Sequence, residues 1–200
     1  MQPQPVTERQ LIRRFCEQRG IVMLLHFTRI ENLAGILREG LTPRRELERR
    51  APNRRPVFCD RYRKPWYDHA NCLSISFPNS KMFYMVRKRS PAAKWVVLKI
   101  KPNVLWELDC AFCFKNAWSK QIRTVGLPRL KSYESFVGLF GGYGRRPLNR
   151  QAEVLVFNRM NFPEFIEWAY FQNPVDRTQW KTIEGQAFSI GSSVDARFFR

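Results

Sequence analysis

The chain has 200 residues, of which 44% are hydrophobic and 16 are Phe, so it can build the core of one folded domain and is not disordered by composition. Its 35 Lys and Arg residues against 17 Asp and Glu give a formal net charge of +18, which predicts an anionic partner, most simply a nucleic acid. A membrane surface is the alternative partner. The basic residues are spread along the whole chain, however, and no apolar run is long enough to cross a bilayer.

The cysteine content predicts free thiols and a reducing compartment, which we take to be the cytoplasm, because the number is odd and no export signal opens the sequence. The five cysteines are Cys16, Cys59, Cys72, Cys110 and Cys113. Cys110 and Cys113 have the spacing of half a zinc site, which Cys59, His69 and Cys72 could complete. A second C-x-x-C motif is absent, so we expect no metal.

The N-terminal third predicts a helix, a strand and a second helix. Residues 7–10 (TERQ) match a capping box, and Gly20 is a typical helix stop. Residues 21–27 form an apolar run that predicts a buried strand. Residues 31–39 have helical periodicity and are followed by Gly40.

The rest of the chain mixes strands and helices without a regular β-α-β order. Residues 42–70 are rich in Arg and Pro and predict a long, largely irregular segment. The further predictions are strands at 72–77, 95–100 and 153–157, helices at 78–89 and 132–140, an ambiguous apolar segment at 162–171, and no confident element in the last thirty residues. Glycine-rich dinucleotide and phosphate-loop motifs are absent, which favours an α+β domain over a Rossmann or P-loop enzyme.

Glu153 is the most informative acidic residue. It opens an apolar run directly after a loop, residues 141–150, that contains three glycines and three arginines. We interpret its carboxylate as a group directed into a cationic cleft. The alternative is an ordinary ion pair between the end of a strand and a nearby arginine.

Five segments resemble the motifs of the DarT family, in the order in which that family has them. They are residues 25–37 (LHFTRIENLAGIL), 73–84 (LSISFPNSKMFY), 95–98 (WVVL), 110–117 (CAFCFKNA) and 151–156 (QAEVLV). Each segment is weak alone, but five in order are specific, and the resemblance covers roughly residues 23–171. It leads us to expect a single domain over residues 1–200.

The resemblance implies the fold of an ADP-ribosyltransferase, with a central split sheet of mixed or antiparallel strands flanked by helices. DarT proteins are bacterial toxins that transfer ADP-ribose from NAD to bases of single-stranded DNA, typically thymine. A macrodomain antitoxin, DarG, reverses the modification. The resemblance therefore implies NAD as co-substrate, single-stranded DNA as acceptor and a DarG-like partner, and we expect a monomer with no membrane attachment.

The resemblance also implies the residues of the NAD site. Glu153 of the Gln-Ala-Glu motif is expected to be the catalytic carboxylate. His26, Phe27 and Thr28 lie at the H-x-T motif and are expected to bind NAD, as is Gly35, where a helix can approach the nucleotide. The family has an essential arginine between its first two motifs, for which Arg61 and Arg63 are the best candidates, and Arg63 is preferred. Arg49, Arg50, Arg54 and Arg55 are crowded nearby, and for them simple solvated charge is the alternative interpretation.

Residues 119–150 correspond to the substrate loop of the family. The expected nucleic-acid contacts are Lys120, Arg123, Tyr143, Arg145, Arg146 and Arg150, with Trp118 and Tyr133 as further aromatic candidates. Two other functions remain open from the sequence. One is an ADP-ribosyltransferase that acts on RNA or protein, and the other is a nucleic-acid-binding module without catalysis.

Overall fold

The computed structural model describes residues 5–50, 55–59, 67–184 and 190–199. These residues build one seven-stranded sheet with helices on its faces. The strands are β1 (Leu24–Arg29), β2 (Asn71–Ile75), β3 (Trp95–Ile100), β4 (Cys110–Cys113), β5 (Glu153–Val156), β6 (Ile166–Phe171) and β7 (Gly191–Val194).

The strand order across the sheet is β4-β5-β2-β1-β3-β6-β7. The neighbouring strands pair antiparallel, except for β6 and β7, which pair parallel. The sheet is therefore mixed, and the sequence-based prediction of an α+β fold around a mixed sheet is confirmed.

The sheet splits between its two central strands. β1 pairs with β2 through only two residue pairs, Leu24 with Ile75 and Leu25 with Ser74. Beyond that point β1 continues its ladder with β3, while residues 71–73 of β2 pair with β5. The two strands consequently diverge from a joined end, and a gap opens between residues 26–28 and residues 71–73.

The helical elements lie between these strands in the chain. They are α1 (Glu8–Arg19), α2 (Leu33–Glu39), α3 (Arg44–Glu48), α4 (Ser80–Arg89), α5 (Val104–Glu107), α6 (Lys120–Arg123), α7 (Leu127–Leu130), α8 (Tyr133–Val137) and α9 (Pro174–Glu184), with 3-10 turns at Ile30–Asn32 and Ala196–Phe199. Within the described residues, no helix has the length and apolarity needed to cross a membrane.

The two faces of the sheet pack differently. One face forms a continuous cluster in which alternate strand residues, such as Leu24 and Val154, meet α1, α2, α5 and α8. The opposite face has two smaller clusters: one includes Phe83 of α4, and the other includes Leu155 and Ile122. β1 contributes to the cluster around Phe83, and β2 contributes to the cluster around Leu155. The split in the sheet therefore lies between these two clusters.

Most predicted elements are present with shifted ends. The strand over 95–100 is confirmed with the same ends, and the strand predicted from residue 21 begins at Leu24. The described residues of the segment 42–70 are largely irregular, as predicted, apart from α3, which starts directly after Pro43. The last thirty residues, which carry no confident pattern, contain α9 and β7.

The capping box of α1 is formed as its sequence predicts. The Thr7 hydroxyl accepts from the backbone N–H of Gln10, and the Gln10 side chain accepts from the backbone N–H of Thr7. Gly20 ends the helix with φ of 60°, a left-handed conformation that favours glycine.

Replacing Thr7 with Ala should lower the free energy of unfolding by about 1 kcal/mol, because the first turn of α1 loses its side-chain acceptor. Urea denaturation of the purified protein measures this change. Thr7→Ser is the matched control and should retain most of the stability, since its hydroxyl can make the same hydrogen bond. Equal stability of the Ala variant and the parent would show that the cap does not stabilise the fold.

Candidate active site

A cleft of about 1220 Å³ opens where the two central strands diverge. It is lined by residues 25–28 of β1 on one side and residues 71–74 of β2 on the other, and it extends to Glu153. Sites for small organic ligands commonly have volumes of about 300–1,000 Å³, so this cleft has room for a ligand larger than a typical metabolite.

Glu153 lies at the start of β5 and is 7% exposed. Its Oε1 atom accepts hydrogen bonds from Nδ2 of Asn79 at 3.1 Å and from Nδ2 of Asn116 at 3.0 Å. Its Oε2 atom accepts from the backbone N–H of Ala117 at 2.8 Å. Burial of a carboxylate is costly unless its oxygens are hydrogen-bonded, and these three neutral donors offset that cost while fixing its orientation.

Antiparallel pairing brings the donors to Glu153 from two different loops. Cys113, the last residue of β4, pairs with Glu153, so Asn116 and Ala117 follow within reach of the carboxylate. Leu73 of β2 pairs with Val154, so the segment that leads from β2 to Asn79 lies at the same end of the sheet. The sheet register therefore assembles the carboxylate site from residues that are distant in sequence.

His26 bridges the gap between the diverging strands. Its Nδ1 atom lies 3.0 Å from the carbonyl oxygen of Cys72. A carbonyl can only accept, so Nδ1 carries a hydrogen in this contact, and Nε2 of a neutral ring is then the acceptor nitrogen. The side chain lines the cleft, and its hydrogen bond to β2 fixes the orientation of the ring.

Thr28 and Asn32 anchor the segment that follows α3. The Asn32 amide donates to Oγ1 of Thr28 at 3.1 Å and to the carbonyl of Val57 at 2.9 Å. Its own oxygen accepts from the backbone N–H of Val57 at 2.8 Å. Residues 55–59 are thereby fixed to the end of β1, where Val57 and Cys59 line the cleft.

The other two predicted NAD contacts differ in their surroundings. Phe27 stacks on Phe83 with ring centroids 4.5 Å apart, so it packs in a core cluster as well as lining the cleft. Gly35 of α2 lines the cleft, and a Cβ built there would meet no atom of the described residues within 4 Å, apart from the backbone of its own helix. The cleft is therefore open beside this glycine.

The arginines predicted between the first two motifs are only partly described. Arg54, Arg61 and Arg63 lie outside the described residues. Arg50 lines the cleft and forms an ion pair with Glu39 at 2.5 Å. Arg55 also lines it and donates to the carbonyl of Arg50.

Arg44 is a cleft residue that the sequence analysis does not single out. It lies at the start of α3, with its guanidinium over the Phe58 ring at 4.5 Å. Together with Arg50 and Arg55 it makes one wall of the cleft basic, which suits an anionic group of a ligand.

Two of the predicted nucleic-acid contacts lie at one rim of the cleft. Lys120 and Arg123 are exposed residues of α6. The Arg123 guanidinium lies over the ring of Trp118, 4.7 Å from its centroid, and Trp118 lines the cleft next to Ala117. This rim thus combines positive charge with an aromatic ring close to Glu153.

The other four predicted contacts lie on the loop of residues 141–150. Tyr143 is fully exposed, and Arg145, Arg146 and Arg150 are exposed as well. Ser76 follows β2, has the left-handed φ of 62°, and donates its hydroxyl to the Arg145 carbonyl at 3.2 Å. The loop is therefore attached at the end of β2 that also leads to Asn79.

The buried thiols do not form the zinc site considered from their spacing. Cys110 and Cys113 belong to clusters on opposite faces of the sheet, so one ion cannot bind both. Burial raises the pKa of each thiol above its ordinary value, and the charge of Glu153 contributes to the shift at Cys113. In the described part of the chain, no group of three or more His, Cys, Asp or Glu residues could hold a metal ion.

Comparison with known proteins decides the family. Residues 25–195, most of the chain, match the sequence model of DarT, described as an ssDNA thymidine ADP-ribosyltransferase. The chain belongs to the DarT family. The resemblance found in the five sequence motifs is thereby confirmed. A search of curated proteins found no match to the chain.

Solved DarT structures share the fold. A Thermosipho africanus DarTG structure in complex with ADP-ribose is 18% identical over 89% of this chain, with a TM-score of 0.62. Thermus sp. 2.9 DarT is 17% identical, with TM-scores of 0.59 in complex with carba-NAD⁺ and 0.55 in complex with ADP-ribosylated ssDNA. The match to the carba-NAD⁺ complex covers 89% of this chain and 97% of the Thermus chain. The match to the ADP-ribosylated ssDNA complex covers 90% of this chain and 96% of the Thermus chain. This DarT chain spans only 51% of the Thermosipho chain.

Three asparagines at the site were missed as functional residues by the sequence analysis. Asn79 and Asn116 lie inside the quoted motifs at residues 73–84 and 110–117, and Asn32 lies inside the motif at 25–37. Their position within the motifs was the available signal. Neutral amides are less distinctive in a sequence than charged and aromatic side chains, so these three were not predicted.

Replacing Asn32 with Ala should speed hydrogen exchange at the backbone amide of Val57 by roughly two- to tenfold, the effect of losing a hydrogen bond of about 0.5–1.5 kcal/mol. Hydrogen–deuterium exchange with mass spectrometry of peptides covering residues 55–59 measures the change. Asn32→Asp is the matched control, because it keeps the oxygen that accepts from Val57 and should retain part of the protection. Unchanged exchange in the Ala variant would mean that Asn32 does not anchor this segment.

Proposed function

We propose that this DarT chain transfers ADP-ribose from NAD to a thymine base of single-stranded DNA. The observation that carries the proposal is the buried Glu153 carboxylate, held by three neutral donors in the cleft that His26 and Thr28 also line. The DarT description of the matched family and the NAD⁺ complex of Thermus sp. 2.9 DarT support the same activity.

The reaction breaks the bond between nicotinamide and C1′ of the ribose and forms a bond from C1′ to a base nitrogen. Nicotinamide leaves with the electron pair of the broken bond, so positive charge develops on the ribose. A fixed carboxylate stabilises that charge without reorganising during the reaction. Glu153 also takes the proton that the attacking base nitrogen loses, and the proton then passes to solvent.

The NAD side of the site is assigned to β1 and α2. His26 and Thr28, two residues apart on β1, are proposed to contact the ribose or the nicotinamide amide, with Phe27 beside them. Gly35 is proposed to admit the nucleotide against α2, which the open space beside its Cα supports. Arg63 is proposed as the essential arginine; Arg50 and Arg55, from the same segment, line the basic wall of the cleft.

The acceptor side is assigned to two basic surfaces, one at the rim of the cleft beside Trp118 and one on the loop of residues 141–150, which is attached to the end of β2. Lys120 and Arg123 are proposed to contact phosphates near Trp118, whose ring offers a stacking surface for a base. Arg145, Arg146 and Arg150 are proposed to follow the backbone further, with Tyr143 as a second stacking ring. These contacts are independent of sequence and should weaken as salt increases.

The proposed activity also implies a cellular location, an oligomeric state and a protein partner. We place the protein in the cytoplasm, where bacterial DNA lies, and we expect the chain to act as a monomer and as one domain over residues 1–200. A DarG-like macrodomain antitoxin is proposed as its protein partner, which the DarTG structure of Thermosipho africanus supports.

A thymine-containing single-stranded oligonucleotide incubated with NAD should gain the mass of one ADP-ribose per modified base, while its annealed duplex gains little. Base pairing hides the thymine nitrogen, and taking a base out of a duplex costs a few kcal/mol. Mass spectrometry of the intact oligonucleotides measures both products. RNA of the same sequence and the protein itself serve as competing acceptors in parallel reactions.

The Glu153→Gln variant is the matched control, because it keeps the size of the side chain and removes its charge. It should reduce the transfer rate by about 100-fold or more, the scale of a lost group that stabilises transition-state charge. Equal labelling of the duplex, or labelling of RNA or protein alone, would contradict the proposed acceptor. Full activity of Glu153→Gln would remove that residue from the mechanism.

A further inference from the structure

Two asparagines hold Glu153 from opposite sides, and both use their amide groups in the same way. Each donates Nδ2 to Oε1 of Glu153, and each uses Oδ1 to accept a backbone N–H two or three residues further along the chain. We propose that Asn79 and Asn116 are a matched pair of positioning residues that keep Glu153 ionised and oriented for the transfer step. This inference rests on the function proposed for Glu153.

Asn79 connects the carboxylate to the start of α4. It is the N-cap residue of that helix, and its Oδ1 accepts from the backbone N–H of Met82 at 3.1 Å. Its own backbone N–H donates to Oγ of Ser74 on β2 at 3.0 Å. The side chain is only 2% exposed, so its amide is fixed at both ends and Nδ2 has a single direction toward Glu153.

Asn116 connects the carboxylate to the loop after β4. Its Oδ1 accepts from the backbone N–H of Trp118 at 2.9 Å, which folds the loop back on itself. The same turn directs the backbone N–H of Ala117 to Oε2 of Glu153. Asn116 therefore determines two of the described hydrogen bonds to the carboxylate, one directly and one through the turn that it stabilises.

An amide is the group that these positions require. The loop needs an acceptor at Oδ1 and the carboxylate needs a donor at Nδ2, and asparagine supplies both on one short side chain. Because an amide nitrogen donates but does not accept, these contacts favour the ionised form of Glu153 over its protonated form. The amides carry no formal charge, so they orient the carboxylate without cancelling the negative charge that the reaction needs.

An aspartate at position 79 or 116 keeps the oxygen that accepts the backbone N–H and removes the nitrogen that donates to Glu153. Asn79→Asp keeps the oxygen that caps α4 but replaces the donor with a second carboxylate facing Glu153. Asn116→Asp does the same while keeping the acceptor for Trp118. Like charges at such distances favour the protonated state of one of the two groups.

Asn173 offers a matched control away from the cleft. Its Oδ1 accepts from the backbone N–H of Asp176 and its Nδ2 donates to the Asp176 carboxylate, both at 2.9 Å. Asn173→Asp therefore places the same substitution in the same hydrogen-bond pattern, at the start of α9. It controls for any general effect of replacing a capping asparagine that faces a carboxylate.

The test measures kcat and KM for NAD across pH for the parent and the three Asp variants. Asn79→Asp and Asn116→Asp should each shift the acidic limb of the kcat profile upward by about one pH unit or more, as like-charge pairing predicts. They should lower kcat at neutral pH by about tenfold or more and change KM for NAD by less than about threefold, because the carboxylate acts mainly on the transition state. Asn173→Asp should retain the parent profile.

A second measurement does not depend on catalysis. In protein labelled with carboxyl-¹³C glutamate, the Glu153 resonance is assigned by its absence from Glu153→Gln, and its titration is followed by NMR. It should move to higher pH in both site variants and stay unchanged in Asn173→Asp. An unchanged Glu153 titration in folded Asn79→Asp and Asn116→Asp would overturn the inference. A shifted titration in a protein that does not modify DNA would support the positioning role and contradict the proposed function instead.

Discussion

The divergence of β1 from β2 is the constraint on which the site depends. Strands that part in the middle of a sheet leave backbone groups that need other partners, because buried N–H and C=O groups are costly when unsatisfied. The side chain of His26 supplies one such partner to the Cys72 carbonyl, and the ligand cleft occupies the gap that remains. The same interruption in pairing thus creates the space for a ligand and orients a polar side chain within it.

The chain is strongly basic, yet the carboxylate of Glu153 is buried in its cleft. The formal charge of +18 attracts any polyanion, and such attraction is not specific for sequence. Selectivity in the proposed reaction then depends on local geometry at Glu153, which accepts hydrogen bonds from amide groups of two loops. Long-range attraction and local chemistry are carried by different residues, so under the proposed function salt should affect DNA binding far more than it affects the bond-breaking step.

The sequence predicted the elements whose signals are local. The capping box at Thr7, the apolar strand at 95–100 and the motif around Glu153 depend on near neighbours, and all three are present in the fold. The roles of Asn79 and Asn116 could not be predicted in this way, because their common partner is 74 residues away from one and 37 from the other. Only the register of β4, β5 and β2 brings them together. β7 was missed because its four residues, GSSV, have little local strand signal. α9 was missed although a local start signal is present, the capping Asn173 followed by Pro174.

A crystal structure of this chain with carba-NAD⁺ tests most directly whether the cleft at the strand split holds the dinucleotide. The nicotinamide ribose should lie within hydrogen-bonding distance of the Glu153 carboxylate, with His26 beside it and the nucleotide passing the open face of Gly35. Asn79 and Asn116 should keep their contacts with Oε1 in that complex. A dinucleotide bound outside the cleft, or bound with its nicotinamide ribose far from Glu153, would contradict the assignment of this carboxylate as the catalytic group.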